Sequence, residues 1–149
     1  MENKDKYYRP DLTEFKVGFR YEYNYNGWLE AEYIGNVNVE EGHGYVRTLK
    51  EAIEDGDIRV KYLDKSDIIE LGFMSVREQN CDRFFRGRFY LPNTEWKLFV
   101  DGTHKRIYIC FQEDKEYPNK IFFVGTIKNY NELEFILKSI GVIKDETKN

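Results

Sequence analysis

Apolar and polar residues alternate with a period of two along much of this chain. Phe15, Val17, Phe19, Tyr21 and Tyr23 are separated by Lys16, Gly18, Arg20 and Glu22, the pattern of a strand with one face in a core and one in water. Asn26-Gly27 readily adopts positive φ and marks a turn. Alternation resumes over Trp28 to Ile34, with Glu30 and Glu32 on one face and Leu29, Ala31 and Tyr33 on the other, so a hairpin is predicted. Residues 35–45 are rich in Gly, Asn and Glu and read as a loop or weak strand. Thr48-Leu49-Lys50-Glu51 has the form of a capping box, starting a short helix that runs to about Asp55 and stops at Gly56. Ile58, Val60 and Tyr62 then alternate as a strand. Asp64 to Asp67 cap a second short helix carrying Ile68 and Leu71 and ending at Gly72.

From Phe73 the pattern becomes a meander. Strands are predicted over Phe73 to Arg77, Phe84 to Leu91, Trp96 to Val100, Ile107 to Phe111 and Ile121 to Ile127, with Asp101-Gly102 as the turn between the third and fourth. Ile107 to Phe111 is apolar at every position, which predicts an interior strand covered on both faces. The last element is a helix capped at Asn131, with Glu134 three residues on, a buried stripe of Leu133, Ile136, Leu137 and Ile140, and Gly141 at its end. The expected fold class is α+β: a mainly antiparallel β-sheet with two short mid-chain helices and a C-terminal amphipathic helix. It is expected as one domain over residues 1–149, with 1–10 and 144–149 as flexible tails.

Composition narrows the function. With 41% hydrophobic residues in 149, the chain can bury a core without disulfides or a structural metal, and its 17% aromatic content favours sheet. Met1 to Pro10 lacks the apolar centre of a signal peptide, and no run approaches the roughly twenty apolar residues of a membrane span, so a soluble, unexported protein is expected. The net charge of −4 argues against a DNA-coating protein and leaves room for a local basic patch.

Catalytic signatures are missing. Ser66, Ser75 and Ser139 stand in no Gly-x-Ser-x-Gly elbow, and neither glycine-rich phosphate motif occurs. His43, in Glu40-Glu41-Gly42-His43-Gly44, and His104, after a hairpin turn, read as solvated loop residues. Cys81 and Cys110 belong to no close-spaced motif. No cofactor or metal is expected. Asp82 with Glu95 and Lys97 matches the Asp…Glu-x-Lys arrangement of metal-dependent nucleases, where two carboxylates hold a divalent ion beside a lysine. Glu-x-Lys also occurs at residues 2–4, 14–16, 113–115 and 146–148, which makes a charged strand face the better account.

One segment combines charge with aromatic surface. Arg83, Arg86 and Arg88 are interleaved with Phe84, Phe85, Phe89 and Tyr90, a pattern that can grip phosphates while stacking bases. The alternative is a strand with its aromatics in the core and its arginines solvated, with a bulge near Gly87 re-aiming the side chains. Tyr- and Phe-rich strands edged by arginine are also raw material for protein interfaces, with Tyr7, Tyr8, Tyr25 and Trp28 as further anchors and the loops at 35–46 and 112–120 setting specificity.

The stretches Tyr8 to Tyr23 and Ile58 to Phe73, with the closing helix from Asn131 to Gly141, resemble small uncharacterised proteins of phages and prophages of gut Bacteroidetes. The resemblance carries no catalytic signature and no site residue. It implies a phage or mobile-element protein, acting in the bacterial host cytoplasm or carried on a virion. The expectation is a non-enzymatic accessory protein that binds a host or viral macromolecule, foremost a protein. The second reading is nucleotide or nucleic-acid binding through Arg83, Arg86, Arg88, Phe84, Phe89 and Tyr90. The third is the nuclease.

Overall fold

The computed structural model describes residues 6–36, 38–40, 46–81, 84–101, 106–112 and 120–144. The chain gathers into two compact units, Met1–Tyr62 and Leu63–Asn149, each with its own buried apolar cluster. Two antiparallel sheets of four and five strands, with three helices among the described residues, make the fold α+β, as the alternation predicts.

The first unit contains β1 (Tyr7–Tyr8), β2 (Arg20–Asn24), β3 (Trp28–Glu32), β4 (Asn38–Glu40), β5 (Val46–Thr48), α1 (Leu49–Glu54) and β6 (Ile58–Lys61). Its sheet runs β1-β6-β2-β3, and β4 with β5 forms a separate ladder. The predicted strand over residues 15–23 starts five residues later, at Arg20. Asp11 and Glu14 make a capping box around a 3-10 turn at Leu12–Glu14, and the chain then turns again, Phe19 N donating to Lys16 O at 2.8 Å. Gly18, at φ +96°, permits that turn, and it leaves Val17 exposed instead of in the core. The hairpin is as expected: Asn26 and Gly27 both take positive φ, and Gly27 N donates to the Asn24 side chain.

Tyr7 to Pro10, expected in a flexible tail, are held by the fold. Tyr7 and Tyr8 pair with Lys61 and Val60, and Pro10 is fully buried. Leu49, Ala52 and Ile53 of α1 join Tyr23 and Ile58 in the core, with Phe15, Tyr21 and Tyr33 packed against it. The Phe15 ring meets Phe19, Tyr21 and Tyr33 at centroid distances of 4.7, 5.2 and 5.6 Å, the tilted and edge-on geometry that aromatic quadrupoles favour. Asp55 and Asp57 both accept from Arg47 Nη1, at 2.8 and 2.7 Å. Arg47 thereby ties β5 to the turn after α1.

The second unit contains α2 (Lys65–Glu70), β7 (Met74–Cys81), β8 (Phe84–Tyr90), β9 (Trp96–Asp101), β10 (Arg106–Phe111), β11 (Lys120–Gly125) and α3 (Tyr130–Ser139). Its strands form an uninterrupted antiparallel meander, β11-β10-β9-β8-β7. Phe89, Leu98 and Ile109 are register partners on one face, packed with Ile68, Phe73, Leu133 and Leu137. One register shift sits in β7 between Ser75 and Arg77, where the sequence suggests a bulge near Gly87, and a second lies between β10 and β11 at Ile109/Cys110; Gly87 itself pairs regularly with Glu78 and Val100. Strand β10 is interior, yet its second face is covered only in part: Cys110 is buried while Tyr108 stays half-exposed. Helix α3 is capped by Asn129, two residues before the predicted cap, with Asn129 Oδ1 accepting from Glu132 N at 2.9 Å. Both Asn129 and Asn131 have a glutamate three residues on. Asn129 is the one buried at the helix start, so its side chain meets the unpaired N–H. Among the described residues, no helix is long and apolar enough to cross a membrane.

Candidate functional site

The arginine-aromatic segment forms β8, and strand alternation divides it between two faces. Phe89 is 1% exposed and fills the core, so it leaves the set of candidate binding residues. Arg88 is exposed and Tyr90 half-exposed on the opposite face. Phe84 and Arg86 lie on the same strand, opposite Cys81 and Gln79; Arg83 and Asp82 lie outside the described residues.

Register extends this outer face across four further strands. One row reads Arg77, Arg88, Phe99, Tyr108 and Val124 from β7 to β11. The next reads Met74, Tyr90, Lys97, Cys110 and Ile121. Phe99, Tyr108 and Tyr90 are half-buried, while Met74, Ile121 and Val124 are half exposed or more. Arg88 has its guanidinium carbon 5.9 Å from the Phe99 ring centre, a contact worth about 0.5–1 kcal/mol at an exposed site. Among the described residues, no carboxylate pairs with Arg88. Arg106, also exposed, sits opposite Asp101 at the far end of the hairpin.

The neighbours of the face are fixed more firmly. Lys97 Nζ donates to Gln112 Oε1 at 2.6 Å, which holds the ammonium beside Cys110. Burial raises the Cys110 thiol above its ordinary value, against the opposing pull of Lys97, so the thiol stays protonated at neutral pH. Glu95 is exposed in the β8–β9 turn, and Lys97 bonds to Gln112. Among the described residues, no three His, Cys, Asp or Glu side chains gather as metal ligands. His43 and His104 lie outside the described residues, as does most of the loop at 112–120.

The first unit presents a different outer face. Arg59 lies between the rings of Tyr7 and Trp28, 3.6 and 4.1 Å from their centres, and its Nε and Nη2 both donate to Glu22 Oε1 at 3.2 and 2.9 Å. Tyr8 stacks on Tyr62 and donates to Glu14 at 2.7 Å. Of the aromatic anchors named from sequence, Tyr7, Tyr8 and Trp28 are thus engaged inside the sheet, and Tyr25 remains exposed.

Charge is also unevenly divided. Residues 1–62 hold 9 Lys and Arg against 13 Asp and Glu, whereas residues 63–149 hold 14 against 14. The net acidity therefore belongs to the first unit and does not oppose a basic surface on the second. Phe99 and Tyr108 were not among the residues singled out from sequence. The alternation of Trp96, Leu98 and Val100 with Lys97, Phe99 and Asp101 carried the signal, because it puts Phe99 on the face away from the core. No family model, curated protein or solved structure matches the chain.

Proposed function

We propose that the chain is a binding protein, not an enzyme, and that it engages a host or viral macromolecule through the outer face of the five-stranded sheet. The observation that carries this reading is the Arg88–Phe99–Tyr108–Val124 row. It joins half-buried rings to an exposed arginine that no described carboxylate neutralises. Aromatic and arginine side chains are the residue types that dominate binding hot spots, because they offer large rigid area with a polar handle. The setting is that of a phage or mobile-element accessory protein in the host cytoplasm or on a virion; the phage-like patterning of residues 8–23 and 58–73 supports it.

The test is a pull-down with the tagged full chain from bacterial host lysate, assaying both protein and nucleic acid. It is run beside a variant carrying Arg88→Glu and Tyr108→Ala. A macromolecule retained by the native chain and lost from an equally stable variant is the expected result. Equal retention by both would place the working surface elsewhere and sink the reading.

A further inference from the structure

Resting on that reading of the outer face, we infer that its occupant is a single-stranded nucleic acid. Adjacent strands lie about 4.8 Å apart, so the register partners Phe99 and Tyr108 set two rings side by side at a spacing that successive unpaired bases can use. Cationic residues surround this pair. Arg88 is the register neighbour of Phe99 in β8. Lys97 and Arg106 lie two residues along β9 and β10, about 7 Å away for an extended strand. Among the described residues of these two rows and of the Asp101–Arg106 pair, Asp101 is the single acidic one.

A protein partner would need an acidic patch matched to these cations and would leave the two-ring platform as ordinary apolar contact. A duplex would satisfy the cations, but its bases are already stacked and unavailable to the rings. Only an unpaired strand uses the cations and the rings together.

The experiment is fluorescence anisotropy with the full chain. The probes are labelled oligo-dT and mixed-sequence RNA of roughly 20 nucleotides, with a duplex of equal length as comparator, at about 50 and 200 mM salt. Expected are saturable single-strand binding that weakens with salt and at least tenfold weaker binding of the duplex. Tyr108→Ala and Phe99→Leu should each cost about tenfold in affinity, the second keeping apolar bulk while removing a ring. Tyr108→Phe should restore binding, and Arg88→Glu should lose most of it. Thermal melts of the variants within a few degrees of the native chain separate loss of binding from loss of fold. Duplex bound as tightly as single strand, or indifference to both ring substitutions, would overturn the inference by showing simple attraction of a polyanion. If no oligonucleotide binds while the Arg88- and Tyr108-dependent pull-down yields a protein, the surface stands and the nucleic-acid inference falls. If neither assay shows binding, both fall.

Discussion

Each unit carries an arginine on the outer face of an antiparallel sheet, and the two are held in opposite ways. Arg59 is enclosed by Tyr7 from β1 and Trp28 from β3 while its guanidinium donates twice to Glu22 of β2. Standing on β6, it links all four strands of its sheet. Arg88 touches one ring, at 5.9 Å, and no described carboxylate. The chemistry of the side chain is the same. What differs is whether its donors and planar faces are already occupied by the fold. An arginine of the first kind organises a sheet; one of the second kind remains available to a ligand.

The largest effect should separate the two faces of one sheet. Phe89→Ala empties a site in the core between Leu98 and the helices and should cost about 3–5 kcal/mol, whereas Phe99→Ala, on the half-exposed face, should cost about 1 kcal/mol or less. Chemical denaturation of both variants checks this. A similar loss for both would mean that the outer face is as closely packed as the core, and the contrast between the units would collapse.

Next comes the arginine that holds the first sheet. Arg59→Ala removes two ring contacts and a charge-assisted hydrogen-bond pair, and should destabilise by about 2–3 kcal/mol. Trp28 and Trp96 are the two tryptophans of the chain, one in each unit, so a Trp96→Phe background lets Trp28 fluorescence report the change beside Arg59 directly. Glu22→Gln should cost less, since both stacked rings remain.

Legibility in the sequence follows the same division between local and distant causes. The meander and the three helices could be read from alternation and caps because each rests on residues within a few positions of one another: Thr48 with Glu51, Asp64 with Asp67, Leu133 with Leu137. The strand predicted from Phe15 failed because alternation cannot show that Gly18 adopts positive φ. The Asp11–Glu14 capping box was present in the sequence as a warning. Arg88 stood out within its own segment, but Phe99 and Tyr108 join it only through register across two turns. The Arg59 clamp assembles residues 7, 22, 28 and 59, which no local pattern connects. Contacts made by pairing distant strands were the part that could not be read.

Alkaline titration offers a smaller effect with one probe in each unit. Burial, and then Tyr33, raises the Tyr21 phenol above its ordinary 10.0; burial raises the Cys110 thiol above 9.0, with Lys97 pulling the other way. The unfolded chain releases both protons first, so this contribution to stability is intact below about pH 8 and is lost as pH rises through the ordinary and then the folded values. Urea midpoints should therefore fall between pH 8 and pH 10.5. Cys110→Ala should flatten the earlier part of the fall and Tyr21→Phe the later part. An unchanged profile in both variants would show that neither group is held neutral by its surroundings.

The smallest effect on stability is the sharpest test of the comparison. Arg88→Ala deletes an exposed side chain with a single distant ring contact, so its effect should lie within about 0.5 kcal/mol of zero. The same substitution should lower affinity for single-stranded oligonucleotide by about tenfold, through the lost phosphate contact. A residue whose removal leaves the fold untouched while weakening a ligand contributes to binding alone. Were Arg88→Ala instead to destabilise as Arg59→Ala does, the guanidinium would be a structural clamp in both sheets. Arg88 would then not be available to a partner.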